Sequence, residues 1–131
     1  MIVVDASALL EALLGTAASA AVTRRIFEAG QTLHAPHLLD VEVVQVLRRY
    51  AIAGDLDDQR ARAALDDLAD FPIRRYPHGL LFPRAWELRN NFSVYDAVYV
   101  ALAEVLGVSL LTADDKLANA HGARCRVEVL R

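Results

Sequence analysis

The chain has 131 residues, enough for one domain with a hydrophobic core and too few for two. Hydrophobic residues make up 55% of it and charged residues 24%, which excludes an intrinsically disordered chain. The net charge of −3 argues against a broad basic surface for nucleic acid, and a single cysteine, Cys125, excludes an internal disulfide and a cysteine-built zinc site.

The opening Met1-Ile2-Val3-Val4-Asp5 has no basic stretch ahead of an apolar run, so it does not read as a signal peptide. Ile2 to Val4 is a β-branched strand closed by Asp5. A helix from Ser7 to Leu14 follows, with Ser7 as its cap, then a second from Ala18 to Ala29 that stops at Gly30. Leu33 to Ala35 is a brief strand, after which Pro36 opens a long helix that ends at Ala53 and Gly54. Asp57 to Phe71 is helical, with Ala61, Ala64, Leu65 and Leu68 on one face. Ile73 to Tyr76 is a weak strand, and Leu80 to Asn90 a helix with Pro83 near its first turn. Val94 to Leu106 is a strong helix whose apolar stretch, Ala97 to Ala103, is stopped by Glu104 before membrane-spanning length. Val108 to Leu111 is a strand, Asp115 to Ala120 a short helix, and Arg126 to Leu130 the last strand. This alternation predicts one α/β domain over residues 1–131, with a central parallel sheet covered by helices on both faces. The compartment expected is the cytoplasm, with no membrane contact.

In such sheets ligands bind beyond the carboxyl ends of the strands, where strand order reverses. Asp5 and Asp114 stand just past the ends of the two most convincing strands. Asp5 is a candidate for chemistry because Ser7 is available to cap the helix. Glu42, Gln45 and Arg49 fall on one narrow strip of a largely apolar helix, so Glu42 reads either as solvated surface or as a ligand facing a polar pocket. Asp96 follows Ser93 by three residues, a spacing that also suits a helix cap and the positive end of the helix dipole. Asp114 could equally cap the last helix, and the adjacent Asp115 could replace it in either role. His34 and His37 flank Pro36 with no third ligand behind them, a poor zinc pair.

Taken in order, Val4-Asp5-Ala6-Ser7-Ala8-Leu9, Glu42 with Gln45 a turn later, Ser93-Val94-Tyr95-Asp96-Ala97 and Leu111-Thr112-Ala113-Asp114 resemble the PIN-domain nucleases. Within them they resemble the VapC toxins of prokaryotic toxin–antitoxin pairs, over essentially the whole chain. The resemblance implies a parallel sheet of four or five strands that gathers Asp5, Glu42, Asp96 and Asp114 into one cleft. There they would hold Mg²⁺ or Mn²⁺, with Asp5 and Asp96 as the primary ligands and Asp115 as a substitute for Asp114. Ser7 and Thr112 would support the carboxylates by hydrogen bonds. It further implies endoribonuclease activity on tRNA or rRNA leaving a 5′-phosphate and a 3′-hydroxyl, a VapB-type antitoxin as partner, and a homodimer. Gln45 departs from the pattern, which more usually has Asn there.

Elementary chemistry agrees with that assignment. Four clustered carboxylates repel one another unless protons or a cation intervene. Oxygen ligands without His or Cys favour Mg²⁺ or Mn²⁺ over zinc. Setting those four aside leaves 13 of the 17 acids against 14 basic residues. RNA contacts are expected from Arg84, Trp86, Arg89 and Phe92, and Leu9, Leu10, Leu13, Val22, Ile26 and Phe27 on the first two helices are read either as surface for a partner helix or, for most of them, as core. The competing reading is a PIN domain that keeps its acids but acts as the antitoxin-bound half of a DNA-binding regulator.

Overall fold

Strand–helix alternation yields, among the described residues, a sheet of five strands paired in parallel throughout. The structure is a computed structural model and describes residues 1–16 and 19–130. β1 (Ile2–Val4), β2 (Leu33–Pro36), β3 (Ile73–Tyr76), β4 (Leu110–Thr112) and β5 (Val127–Val129) lie in the order β3-β2-β1-β4-β5. Val3 pairs with His34 on one side and Leu110 on the other. Ile2, Val3 and Val4 are each wholly buried, which is why this central strand is a continuous apolar run instead of an alternating one.

The connecting helices among the described residues are α1 (Ala6–Leu14), α2 (Ser19–Ile26), α3 (Leu38–Ala53), α4 (Asp58–Asp70), α5 (Phe82–Glu87), α6 (Val94–Leu106) and α7 (Asp115–Asn119). The chain steps outward from β1 to β2 to β3, then returns across the sheet to β4 and β5. Right-handed crossovers in opposite directions put α1 to α4 on one face and α5 to α7 on the other. Accordingly α1 packs on α2, α3 and α4, while α6 lies against α5 and strands β1, β2 and β4. Every residue of α6 from Ala97 to Ala103 is buried, so its apolar composition is that of a core helix. No single helix among the described residues is long and apolar enough to cross a membrane.

Several boundaries differ from the expectation. The first helix begins at Ala6, because Asp5 is its cap: the residue is extended and its side chain accepts the Ala8 N–H. The second helix ends at Ile26, where the chain turns through Gln31 N–H to Glu28 O and Thr32 O meets Ile2 N–H of the sheet. Its expected start, Ala18, lies outside the described residues. Pro36 is the last residue of β2, since His37 N–H still bonds Tyr76 O across the strands. The helix expected from Leu80 to Asn90 divides into a 3₁₀ turn, Gly79–Leu81, and α5, which stops at Glu87. Beyond it the chain turns to bury Phe92 in the core. The fourth strand is Leu110–Thr112, displaced toward Thr112 from Val108 to Leu111.

Candidate active site

The order of the strands reverses between β1 and β4, so the carboxyl ends of these neighbours form the crevice expected to hold a ligand. β1 delivers Asp5 to it and β4 delivers Thr112 and Asp114. Asp5 N–H bonds Leu111 O at 3.1 Å, which fixes the two strand ends against each other.

Asp5 is almost enclosed, at 8% exposure, yet it is fully supplied with donors. The Ser7 hydroxyl donates to Oδ1 at 2.6 Å and the Ala8 N–H to the same oxygen at 3.0 Å, while the Thr112 hydroxyl donates to Oδ2 at 2.5 Å. Ser7 Oγ in turn accepts Ala113 N–H at 2.9 Å, and Thr112 Oγ1 accepts Asp114 N–H at 3.0 Å. One carboxylate, two hydroxyls and three backbone amides thus tie the turn after β1 to the turn after β4. Even so, burial pushes the Asp5 carboxyl above the usual carboxylate range against these hydrogen bonds, and the Asp96 charge adds to the push.

Glu42 enters from α3. The buried Tyr99 hydroxyl of α6 donates to its Oε1 at 2.6 Å, a bond between the opposite helical layers. Burial raises the Glu42 carboxyl; Tyr99 opposes this, and Asp96 and Asp5 raise it further. The Tyr99 phenol is itself held far above its ordinary value by burial and the adjacent Glu42. Asp96, in the first turn of α6, donates its N–H to the capping Ser93 Oγ at 3.1 Å. Its carboxyl is raised by burial and by the negative charge of Asp114, with Ser93 acting against the shift. Asp114 caps α7 by accepting Lys116 N–H at 2.9 Å and is exposed, as is Asp115 one residue on.

Asp5, Glu42, Asp96 and Asp114 therefore feel one another's charge, and it is Asp114 whose charge reaches Asp96. This mutual repulsion, with an oxygen-only donor set, fits a hard divalent cation. Among the described residues no three His, Cys, Asp or Glu side chains already converge on one point, so side-chain rotation has to complete any metal shell. Beside the acids, α1, α3 and the start of α6 enclose a cleft of about 640 Å³ that Ser7, Glu42, Gln45, Arg49 and Tyr95 help to line.

Other sequence expectations fare differently. Arg84 is not free for RNA: Glu104, Glu87 and the Gly122 carbonyl take its guanidinium. Phe92 is core. Trp86 is exposed, and the Arg89 guanidinium lies 4.6 Å over its ring. Of the apolar residues on the first two helices read as partner surface or core, Leu9, Leu10, Leu13, Val22 and Ile26 are core, and Phe27 is exposed. His34 is likewise a core group, bonded to Thr32 and Tyr76. Tyr99 was missed as a partner of Glu42, although its place three residues after Asp96 puts both on one face of α6.

A family model for the PIN domain matches residues 2–122. The chain is 46% identical over 130 residues to Ribonuclease VapC1 of Mycobacterium tuberculosis, spanning 98% of this chain and 97% of that relative. It is 42% identical to Ribonuclease VapC12 of the same organism, spanning 99% of each. The fold is similar to the crystal structure of PAE2754 from Pyrobaculum aerophilum, with a TM-score of 0.69 at 26% identity, over 98% of this chain and 83% of that one.

Proposed function

The chain belongs to the PIN-domain family and, within it, to the VapC group, and from that premise we propose that it is the toxin of a toxin–antitoxin pair, an Mg²⁺- or Mn²⁺-dependent endoribonuclease. The observation that carries this reading is the acid cluster at the β1–β4 switch point: three carboxyls each raised by burial and by the charge of a neighbouring acid, on a chain whose relatives are named ribonucleases.

Asp5 and Asp96 would hold the ion, with Glu42 and Asp114 completing its shell directly or through water. Bound there, a divalent cation supplies a water of lowered pKa and positive charge for the leaving oxygen. The chain's own groups do the rest. Ser7, Thr112 and the Ala8 N–H fix the plane of the Asp5 carboxylate, so it needs no reorganisation when the phosphodiester arrives. Tyr99 holds Glu42 by Oε1, leaving Oε2 to orient the attacking water and accept its proton. In-line hydrolysis would leave a 5′-phosphate and a 3′-hydroxyl. A VapB-type antitoxin restrains the enzyme by covering the cleft, and a homodimer working in the cytoplasm belongs to the same reading.

The test is cleavage of total RNA by the purified, antitoxin-free chain. Discrete fragments with Mg²⁺ or Mn²⁺, absent with EDTA and with Asp96→Asn, support the proposal. Intact RNA throughout, from a folded protein that binds the metal, favours a non-catalytic, regulatory domain.

A further inference from the structure

The cleft beside the acids has a composition that metal chemistry does not require. Its floor is apolar, from Leu10, Leu38 and Val46, and its rim carries Gln45, Arg49 and Tyr95. Tyr95 is 64% exposed, immediately before Asp96 in the chain, so its ring stands at the junction of cleft and acid cluster. Glu42, Gln45 and Arg49 follow one another at helical spacing along the same wall. Seven residues of α3 place Arg49 about 10 Å along the helix axis from Glu42. Arg25, Arg62, Arg75 and Arg84 are each engaged by a carboxylate, whereas Arg49 has no acidic partner among the described residues.

We infer that this cleft seats one unstacked nucleotide of a single-stranded RNA next to the scissile phosphate, with Tyr95 stacking on its base, Gln45 meeting the base edge and Arg49 holding the phosphate beyond. The inference rests on the ribonuclease reading and adds a position-specific preference to it. An aromatic face takes any base, while an amide discriminates because it offers both a donor and an acceptor. A stacked base in a duplex does not reach an apolar floor, so the substrate must be a loop or an unpaired strand. The cleft lies within the usual size of a small-ligand site. Glu11, which also borders the cleft, is bonded to the Thr16 hydroxyl.

The first arm of the test is binding in EDTA, where no cleavage occurs. A fluorescent single-stranded ten-nucleotide RNA of random sequence is titrated with the wild-type chain and followed by anisotropy. Tyr95→Ala is expected to weaken binding about tenfold. Arg49→Ala should weaken it and lower the slope of log affinity against log salt by about 0.7, the signature of one lost phosphate contact on a single strand. Arg62→Ala, which removes a remote arginine held by Asp58, should change nothing. The second arm maps cleavage ends in total RNA with Mn²⁺. Gln45→Ala should cut at additional sites by relaxing the preference at one position beside the cut. Wild-type binding and an unaltered cleavage map for all three cleft variants overturn the inference while leaving the ribonuclease reading intact, and they leave the cleft to a protein occupant. RNA left uncut by the wild-type chain overturns the ribonuclease reading itself, and the binding arm still decides whether the cleft holds RNA.

Discussion

Replacing Thr112 by valine keeps the shape of a wholly buried side chain and removes only its hydroxyl. That hydroxyl donates to Asp5 Oδ2 and accepts the Asp114 N–H. A hydrogen bond to a charged acceptor contributes about 1.5–3 kcal/mol and a neutral one about 1 kcal/mol. Part of this returns, because Asp114 is exposed and water can reach its N–H. The net loss should be about 2–3 kcal/mol. At roughly 3–6 °C per kcal/mol for a chain of this size, the melting temperature should fall by roughly 6–18 °C. Thr112→Ser keeps both bonds and gives up one methyl group, about 0.8 kcal/mol. The assay is thermal unfolding of the metal-free chain at pH 7, followed by circular dichroism. Thr112→Val should be the less stable of the two, with the gap narrowing in acid as Asp5 takes up its proton. A valine variant as stable as the serine variant refutes the argument that the hydroxyl holds Asp5.

Four further outcomes follow from the same geometry. Asp5, Glu42 and Asp96 all sit above their ordinary values in the fold, so the folded chain binds more protons than the unfolded one between the ordinary and the raised values. Their contribution to metal-free stability should therefore decline as pH rises through the raised values, against the opposite contribution of Glu104 and Glu128, which their arginines hold low; urea midpoints across pH 4–8, compared between the wild-type chain and Asp96→Asn, check it. On the metal-binding reading, Mn²⁺ should raise the melting temperature more at pH 7.5 than at pH 5, which calorimetry would show. Tyr99→Phe frees Glu42 from its only side-chain donor among the described residues and should slow RNA cleavage about tenfold through kcat, at a cost of about 1–2 kcal/mol in stability. Arg75→Met breaks a bidentate bond from β3 to Asp40 on α3, together with bonds to the Leu68 and Ile73 carbonyls. Partial exposure limits its effect to about 1–2 kcal/mol by chemical denaturation, and cleavage should remain.

The sheet was legible because β1 is a β-branched run, the other strands are short segments set between helices, and those helices carry their own punctuation. Gly54 and Gly107 end α3 and α6 in the left-handed conformation, where a missing Cβ avoids a clash. Boundaries went astray where a tertiary bond decides them. Pro36 suits a first helical turn locally, but the bond from His37 to Tyr76 across the sheet holds it in β2. Asp5 and Ser7 compete for one cap, and the hydroxyl of Ser7 is drawn instead toward Asp5 and Ala113. The four acids could be singled out because two follow strands, two lie on largely apolar helices, and all four fall in the order of the family resemblance. The Tyr99–Glu42 bond joins residues 57 positions apart, and no local pattern records it. Arg84 and Phe92 looked like RNA contacts for the same reason: pairing with Glu104 and burial in the core are properties of the fold.

The most direct measurement of the central claim follows Mn²⁺ binding and RNA cleavage on the same samples, by electron paramagnetic resonance and end-labelled RNA, for the wild-type chain, Asp5→Asn and Asp96→Asn. The account predicts that cleavage rises with bound Mn²⁺ and that each substitution lowers both together. Cleavage that persists in EDTA, or that survives in either variant at wild-type rate, contradicts it.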